Sequence, residues 1–279
     1  MFTKLKVHIW GGLGSQLFGL AFILELRKLG FTPERMCVVF HEGGVTKRNI
    51  EIEEFLPSNL QRKIVKDFES NSLDNSKNYF KKILFYVIRK ILLVSKIVIE
   101  ANSNREKIMP WTLSCRGHYR FRFIEPEIIR SIFNRVVGSL TNEKVFGISE
   151  LVIHYRLGDL IGLKPTLSSN QVIALAKENL WDGIERIRIF VEDPKDLCDF
   201  PSVIDDIAVT IDSAQVNQVI ESGVMSYLFI GTDSKISIWI ALFRLHRTPE
   251  SHIKMPLSSK QGLEIILGSL ILFPNLKFY

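Results

Sequence analysis

Residues 5–19 read Leu-Lys-Val-His-Ile-Trp-Gly-Gly-Leu-Gly-Ser-Gln-Leu-Phe-Gly: a strand-like run, a glycine-rich turn, then a helix. Glycines at 11, 12 and 14 let the backbone take positive φ and approach a ligand closely. The helix start that follows presents unpaired N–H groups. A dinucleotide-binding fingerprint is the obvious rival and fits poorly. Gly12-Leu13-Gly14 is followed by Leu17 where the third glycine belongs, and the first acid after the next strand is Glu42, too far on for the usual ribose contact. Taken alone, the stretch reads equally well as a structural glycine turn.

The same strand-then-helix pattern recurs along the chain. Strands are expected at 5–10, 36–40, 149–155, 186–191, 206–211 and 227–231, and helices at 15–29, 79–99, 125–135, 169–179, 214–224 and 233–246. Such alternation predicts an α/β fold with parallel sheets. The polar run at 70–78 is expected to be a loop. A second polar turn, Gly138-Ser139-Leu140-Thr141-Asn142, suggests a boundary between domains 1–146 and 147–279. No internal repeat is evident.

Residues 151–160, Leu-Val-Ile-His-Tyr-Arg-Leu-Gly-Asp-Leu, form the second informative stretch. His154, Arg156 and Asp159 cluster just past the carboxyl end of an expected strand, the edge at which α/β sheets meet ligands. Arg156 offers a planar fork of donors suited to a phosphate. The plain alternative is a surface turn held by an Arg156–Asp159 ion pair.

In this order, one in each half, the two stretches resemble the motifs of the α-1,2-fucosyltransferase family and its wider superfamily. The loop Gly11-Gly12-Leu13-Gly14-Ser15-Gln16-Leu17-Phe18 is similar to Gly-Gly-Leu-Gly-Asn-Gln-Leu-Phe, and His154-Tyr155-Arg156-Leu157-Gly158-Asp159 to His-x-Arg-Arg-x-Asp. Phe190–Pro194, Glu221–Ser226, Ser234–Trp239 and Gly117-His118-Tyr119 resemble further family segments in the right order. Ser15 stands where the family has Asn, Leu157 where it has a second Arg, and Glu221 where it has Asp.

The resemblance implies a GT-B-type glycosyltransferase with two facing Rossmann-like domains, the first toward the acceptor and the second holding a nucleotide sugar. It implies inverting, metal-independent transfer of L-fucose from GDP-β-L-fucose to a sugar hydroxyl, α-1,2 to galactose or similar, on a bacterial surface glycan such as an O antigen. Arg156 then takes the donor β-phosphate, where charge builds as the glycosidic bond breaks. Asp159 orients Arg156, contacts the ribose, or only fixes the turn. His154 and Glu221 hold the base. Ser234, Lys235 and Ser237 add a helix N-terminus to the donor site, although Asp233 and Ser234 also suit plain N-capping. Gly12, Gly14, Ser15 and Gln16 are the expected loop and sugar contacts. The general base is not marked, with His8, Glu42 and His118 all possible. Glu192-Asp193 only faintly imitates a metal-binding Asp-x-Asp, and neither a metal nor a cofactor beyond the donor is expected. Two alternatives stay open: a relative using another nucleotide sugar, and a catalytically silent nucleotide-binding scaffold of glycan assembly.

Composition is compatible with this. The chain has 279 residues, 46% hydrophobic and 24% charged, an ordinary globular balance. A net charge of +6 favours anionic partners, and no nucleic-acid-binding module is recognisable. Three scattered cysteines argue against a disulfide framework, and no apolar leader opens the chain, so a cytoplasmic protein is expected. Segment 79–100 is apolar but interrupted by Lys81, Lys82, Arg89, Lys90 and Lys96, which rules out a transmembrane span. It is either a core helix with a solvated basic face or an interfacial helix at the inner face of the plasma membrane, the latter suiting a lipid-linked acceptor.

Overall fold

The computed structural model describes residues 4–41, 50–65, 79–102, 106–138, 148–156, 167–197 and 199–279. The chain forms two compact units that divide at residues 128/129. The boundary expected at 146/147, the loop 70–78 and Asp159 lie outside the described residues.

The first unit is built on a parallel sheet of order β3-β2-β1-β5-β4. Its strands are β1 (Leu5–Trp10), β2 (Met36–His41), β3 (Gln61–Val65), β4 (Val98–Glu100) and β5 (Ser114–Arg116). Helix α1 (Leu13–Lys28) follows β1, and α2 (Tyr79–Val94) precedes β4. Helix α1 is apolar nearly all round and almost wholly buried, as a core helix should be. It lies so close to β1 that a Cβ on Gly19 would sit 2.6 Å from Ile9 Cδ1. Arg122, buried, clamps Glu25 of α1 and covers the Phe22 ring at 5.0 Å.

The second unit carries a sheet of order β12-β11-β10-β6-β7-β9-β8, parallel except for the β8–β9 pair. Its strands are β6 (Ile148–His154), β7 (Arg186–Phe190), β8 (Val203–Ile204), β9 (Ile207–Asp212), β10 (Ser226–Gly231), β11 (His252–Met255) and β12 (Leu276–Phe278). The helices are α3 (Pro126–Val136), α4 (Ser169–Lys177), α5 (Val216–Met225), α6 (Lys235–Arg247) and α7 (Lys260–Leu267). One face of the sheet, with Leu151, Ile153, Ile187, Ile189, Leu228 and Ile230, packs with Val172, Leu175 and Ala176 of α4. Helices α5 and α6 pack against each other and against β6 and β10. Arg244 of α6 is fully buried, and its guanidinium donates to the carbonyls of Gly223, Val224, Ser226, Tyr227 and His252. That cation, with its pKa lowered by burial to about 9, pins the ends of α5, β10 and β11 together.

The α/β class and the six expected strands are found. The helix expected over 79–99 ends at Val94 instead: Lys96 takes a left-handed φ of 59° and β4 begins at Val98. Strands β3, β4, β5, β8, β11 and β12 and helix α7 were not anticipated. The two sheets share one topological feature. The chain leaves β1 toward β2 and β3, then returns to β5 on the other side of β1; likewise it leaves β6 toward β7 and β9, then returns to β10. Each central strand thus marks a point where the winding reverses, and the carboxyl ends of strands there open a crevice suited to a ligand.

Candidate functional site

The reversal point of the second sheet lies between β6 and β10, whose last residues, His154 and Gly231, are paired in register. His154 Nδ1 lies 2.8 Å from Ser237 Oγ. Ser237 Oγ also accepts from Thr232 N–H at 3.2 Å. Thr232 Oγ1 donates to the His154 carbonyl at 2.9 Å and accepts from Arg156 N–H at 3.3 Å. These bonds stitch the end of β6, the end of β10 and the first turn of α6 into one polar array. Burial, with the Arg156 charge as the smaller cause, lowers the His154 pKa to about 4. The imidazole is therefore neutral near pH 7. If Nδ1 accepts from the Ser237 hydroxyl, Nε2 carries the proton and is a donor.

Helix α6 adds its N-terminus to this array. Ser234 caps it, accepting from Ile236 N–H at 3.2 Å, so the capping expected from sequence is present and Asp233 is not the cap. The Ser234 and Ser237 hydroxyls are buried and bonded within the protein, and they act as positioning groups. Lys235 opens the helix half-exposed. Gly231 permits the close approach: a Cβ there would lie 2.5 Å from Met255 Sδ and 2.8 Å from Ser237 Cβ. The C-terminal residue joins the same corner, with Tyr279 hydroxyl donating to the Gly231 carbonyl at 2.8 Å.

No family model matches the chain, and no characterised protein matches it by sequence. Similar solved structures exist. NodZ α-1,6-fucosyltransferase soaked with GDP-fucose is similar over 86% of this chain and 92% of its own, at 12% identity and a TM-score of 0.46. The same enzyme co-crystallised with GDP gives 87% and 93% coverage, 12% identity and 0.47. A family 9 glycosyl transferase from Veillonella parvula gives 91% and 80% coverage, 14% identity and 0.41. At these identities and scores, the roles of individual residues rest on the local geometry alone.

The glycine loop sits at the reversal point of the first sheet. Gly11 has φ +82°, and Gly12 opens α1 without a side-chain cap. Helix α1 has no acid in its first turn; instead Glu51 reaches in and its carboxylate accepts from Leu13 N–H at 3.1 Å. Gln16 is buried, donating to the Gly11 carbonyl at 2.7 Å and accepting from Glu51 and Ile52 N–H at 2.9 and 3.0 Å. Its amide holds the loop against residues 51–52. Gly14 is buried as well, while Gly12 and Ser15 are half-exposed.

Beside this loop, sequence reasoning missed an aromatic group. Trp10 ends β1, His41 ends β2, and His118 follows β5; the Trp10 ring stands edge-on to both imidazoles at 6.3 and 5.6 Å. His8 stacks on His41, with Nδ1 and Nε2 at 2.8 Å. Burial foremost, then the Arg116 charge, lowers the pKa of both, that of His8 to about 3. His8 is interior and cannot reach a substrate, whereas His118 is exposed. Glu42 lies outside the described residues.

Glu221 is not brought to the His154 array by any described contact. It is exposed on α5, which enters β10 at that strand's amino end. Glu192, which follows β7 next to β6, is the carboxylate nearer in topology to the carboxyl edge. Thr232 was also missed. Its only signal was its place directly after an expected strand, opposite the end of another.

Proposed function

We propose that the protein is an inverting glycosyltransferase of GT-B type that transfers L-fucose from GDP-β-L-fucose to a sugar hydroxyl of a bacterial surface glycan. The motifs shared with α-1,2-fucosyltransferases support the sugar and the linkage. One observation carries the donor site: Arg156 and a neutral His154 emerge together at the reversal point between β6 and β10, beside the start of α6. A helix start and an arginine fork at that edge match a nucleoside diphosphate in charge and shape.

In this mechanism the glycosidic C–O bond breaks with the electron pair moving to the β-phosphate oxygen. The Arg156 guanidinium and the dipole of α6 stabilise that growing charge. His154 donates one hydrogen bond from Nε2 without adding positive charge of its own. Ser237 and Thr232 hold the imidazole and the Arg156 backbone in place. The acceptor hydroxyl oxygen attacks the anomeric carbon from the opposite face of the sugar, which inverts the anomeric centre. The new glycosidic bond forms as the bond to the diphosphate breaks, and the hydroxyl proton passes to solvent water. No metal is needed if Arg156 and the helix N-terminus neutralise the diphosphate.

Calorimetric binding of GDP, UDP, ADP, CMP and GDP-fucose, with and without EDTA, tests this. GDP-selective, EDTA-insensitive binding that is lost in Arg156→Ala supports the proposal. Preference for another nucleotide keeps the site and replaces the sugar. Absence of all nucleotide binding, or unaltered binding in Arg156→Ala, refutes the donor site and leaves a scaffold role.

A further inference from the structure

Helix α2 shows the solvent the wrong face. On a helical projection of about 100° per residue, Ile83, Val94, Val87, Ile91, Leu84 and Ile88 fall within one arc of about 140°. All six are exposed, Val94 the most at 81%. Leu92 and Leu93, on the opposite side, are half-buried. Tyr86, also exposed, lies at the edge of the stripe with Lys90 Nζ 5.0 Å from its ring centre. At the C-terminal end of the helix the exposed Trp111 donates from Nε1 to the Ser95 carbonyl at 3.0 Å. A contiguous apolar stripe of this kind marks an interaction surface on a protein that must remain dispersed in water.

The charges identify the occupant. From Tyr79 to Ile99 every charged residue is basic: Lys81, Lys82, Arg89, Lys90 and Lys96. Arg89 is held by Glu100 and Lys96 by Glu106, which fixes the end of the helix to the first unit. Lys90 borders the stripe on one side. A second copy laid along this stripe would set base against base. An anionic surface with an apolar interior satisfies both the stripe and its rim. Among the described residues no helix is long and apolar enough to cross a membrane, so the contact lies along the surface.

We infer that α2 docks the protein on anionic lipid bilayers, with the aliphatic stripe in the headgroup–acyl boundary and Tyr86, Trp111 and Lys90 at headgroup level. This does not depend on the donor assignment. It places the first unit at a membrane surface, so a lipid-borne substrate would be held in two dimensions near the protein.

Co-sedimentation of the full chain with vesicles tests it, using phosphatidylcholine alone and phosphatidylcholine mixed with phosphatidylglycerol. The wild-type protein should partition onto the anionic vesicles and bind less as salt rises. The double variant Ile88→Glu/Ile91→Glu should lose about tenfold or more in partition coefficient, and Lys90→Glu about fivefold or more. These positions are exposed, so thermal unfolding should be unchanged and serves as the folding control. Equal partition of wild type and double variant, or no preference for anionic vesicles, overturns the inference. So does velocity sedimentation showing a wild-type dimer that the double variant abolishes, since the stripe would then be a contact between copies. None of these readouts uses nucleotide or activity, so they stand or fall separately from the donor site.

Discussion

Lowering the pH should weaken the second unit through His154, by an amount the structure sets. The imidazole pKa falls from 6.5 to about 4 on folding, so the unfolded chain takes up the proton more readily. The stabilisation is complete above about pH 6.5 and is lost as the pH falls toward 4. From those two values the loss is about 2 kcal/mol at pH 5 and about 3 kcal/mol at pH 4. Hydrogen exchange of the β6 and β10 amides reports on the second unit by itself. It should show that slope in the wild type and a much shallower one in His154→Gln. His8 shifts in the same direction but belongs to the first unit and is present in both proteins, so it cancels in the comparison. Imidazole resonances provide the direct check: His154 should show no titration between pH 6 and 8, and GDP binding should owe no pH dependence to it there. A His154 midpoint near 6.5, or equal slopes in the two proteins, would refute the half-buried, Ser237-bonded imidazole.

Substitutions at five further positions probe other parts of the same logic. Gly231→Ala places a methyl against Met255 and Ser237; chemical denaturation should show a loss of about 1–3 kcal/mol, together with weaker nucleotide binding. Arg244→Met strands the carbonyls of Gly223, Ser226 and Tyr227, for an expected loss of roughly 3 kcal/mol or more. Arg244→Lys should recover only part of this, because one ammonium cannot span acceptors shared between two guanidinium nitrogens. Glu51→Ala uncovers Leu13 N–H at the start of α1 and should destabilise by about 1 kcal/mol in a urea titration, with Glu51→Gln recovering part. Glu221→Gln tests the base contact by competition between GDP and ADP: an unchanged preference removes Glu221 from the site, and the same measurement on Glu192→Gln then tests the carboxylate at the carboxyl edge.

The central strands were legible because each couples an apolar run to a signal at its end: Leu5–Trp10 to the glycines, Leu151–His154 to Arg156. The strands that escaped notice are short or polar. Ser114–Arg116 gains strand geometry from pairing with β1 at Lys6 and Val7, a contact with no local sequence signature. Gln61–Val65 is an edge strand with mostly exposed side chains, so no burial pattern imprints it. The helix over-extended past Val94 because Ser95–Ile99 continues the apolar and basic composition, whereas the left-handed turn at Lys96 carries no glycine to announce it. At the site, Arg156 and His154 were recognisable by type. The inward aim of Ser237 and Gln16 was not, because whether a polar side chain faces substrate or backbone is settled by partners distant in sequence, here His154 and residues 51–52.

The two reversal points, alike in topology, differ in the group that caps the helix start. At β1 the start of α1 is already answered by the carboxylate of Glu51, so a diphosphate arriving there would meet a negative group at the place where N–H donors should welcome it. Trp10, directly before the glycine loop, stands edge-on to the rings of His41 and His118, an aromatic surface suited to an uncharged ring with hydroxyls. At β6 the cap of α6 is the neutral Ser234 rather than a carboxylate, with Asp233 before it and Lys235 after it in the chain, and Arg156 follows the end of β6. Helix dipoles of equal sign thus meet different groups according to what the protein itself places at the N-terminus. Glu51→Lys would reverse the first of these. If charge at the helix start governs where the nucleotide binds, calorimetry on that variant should reveal a second, weaker diphosphate site that Arg156→Ala does not remove. A single site, lost entirely in the Glu51→Lys/Arg156→Ala double variant, would show that loop shape rather than charge excludes the donor from the first unit.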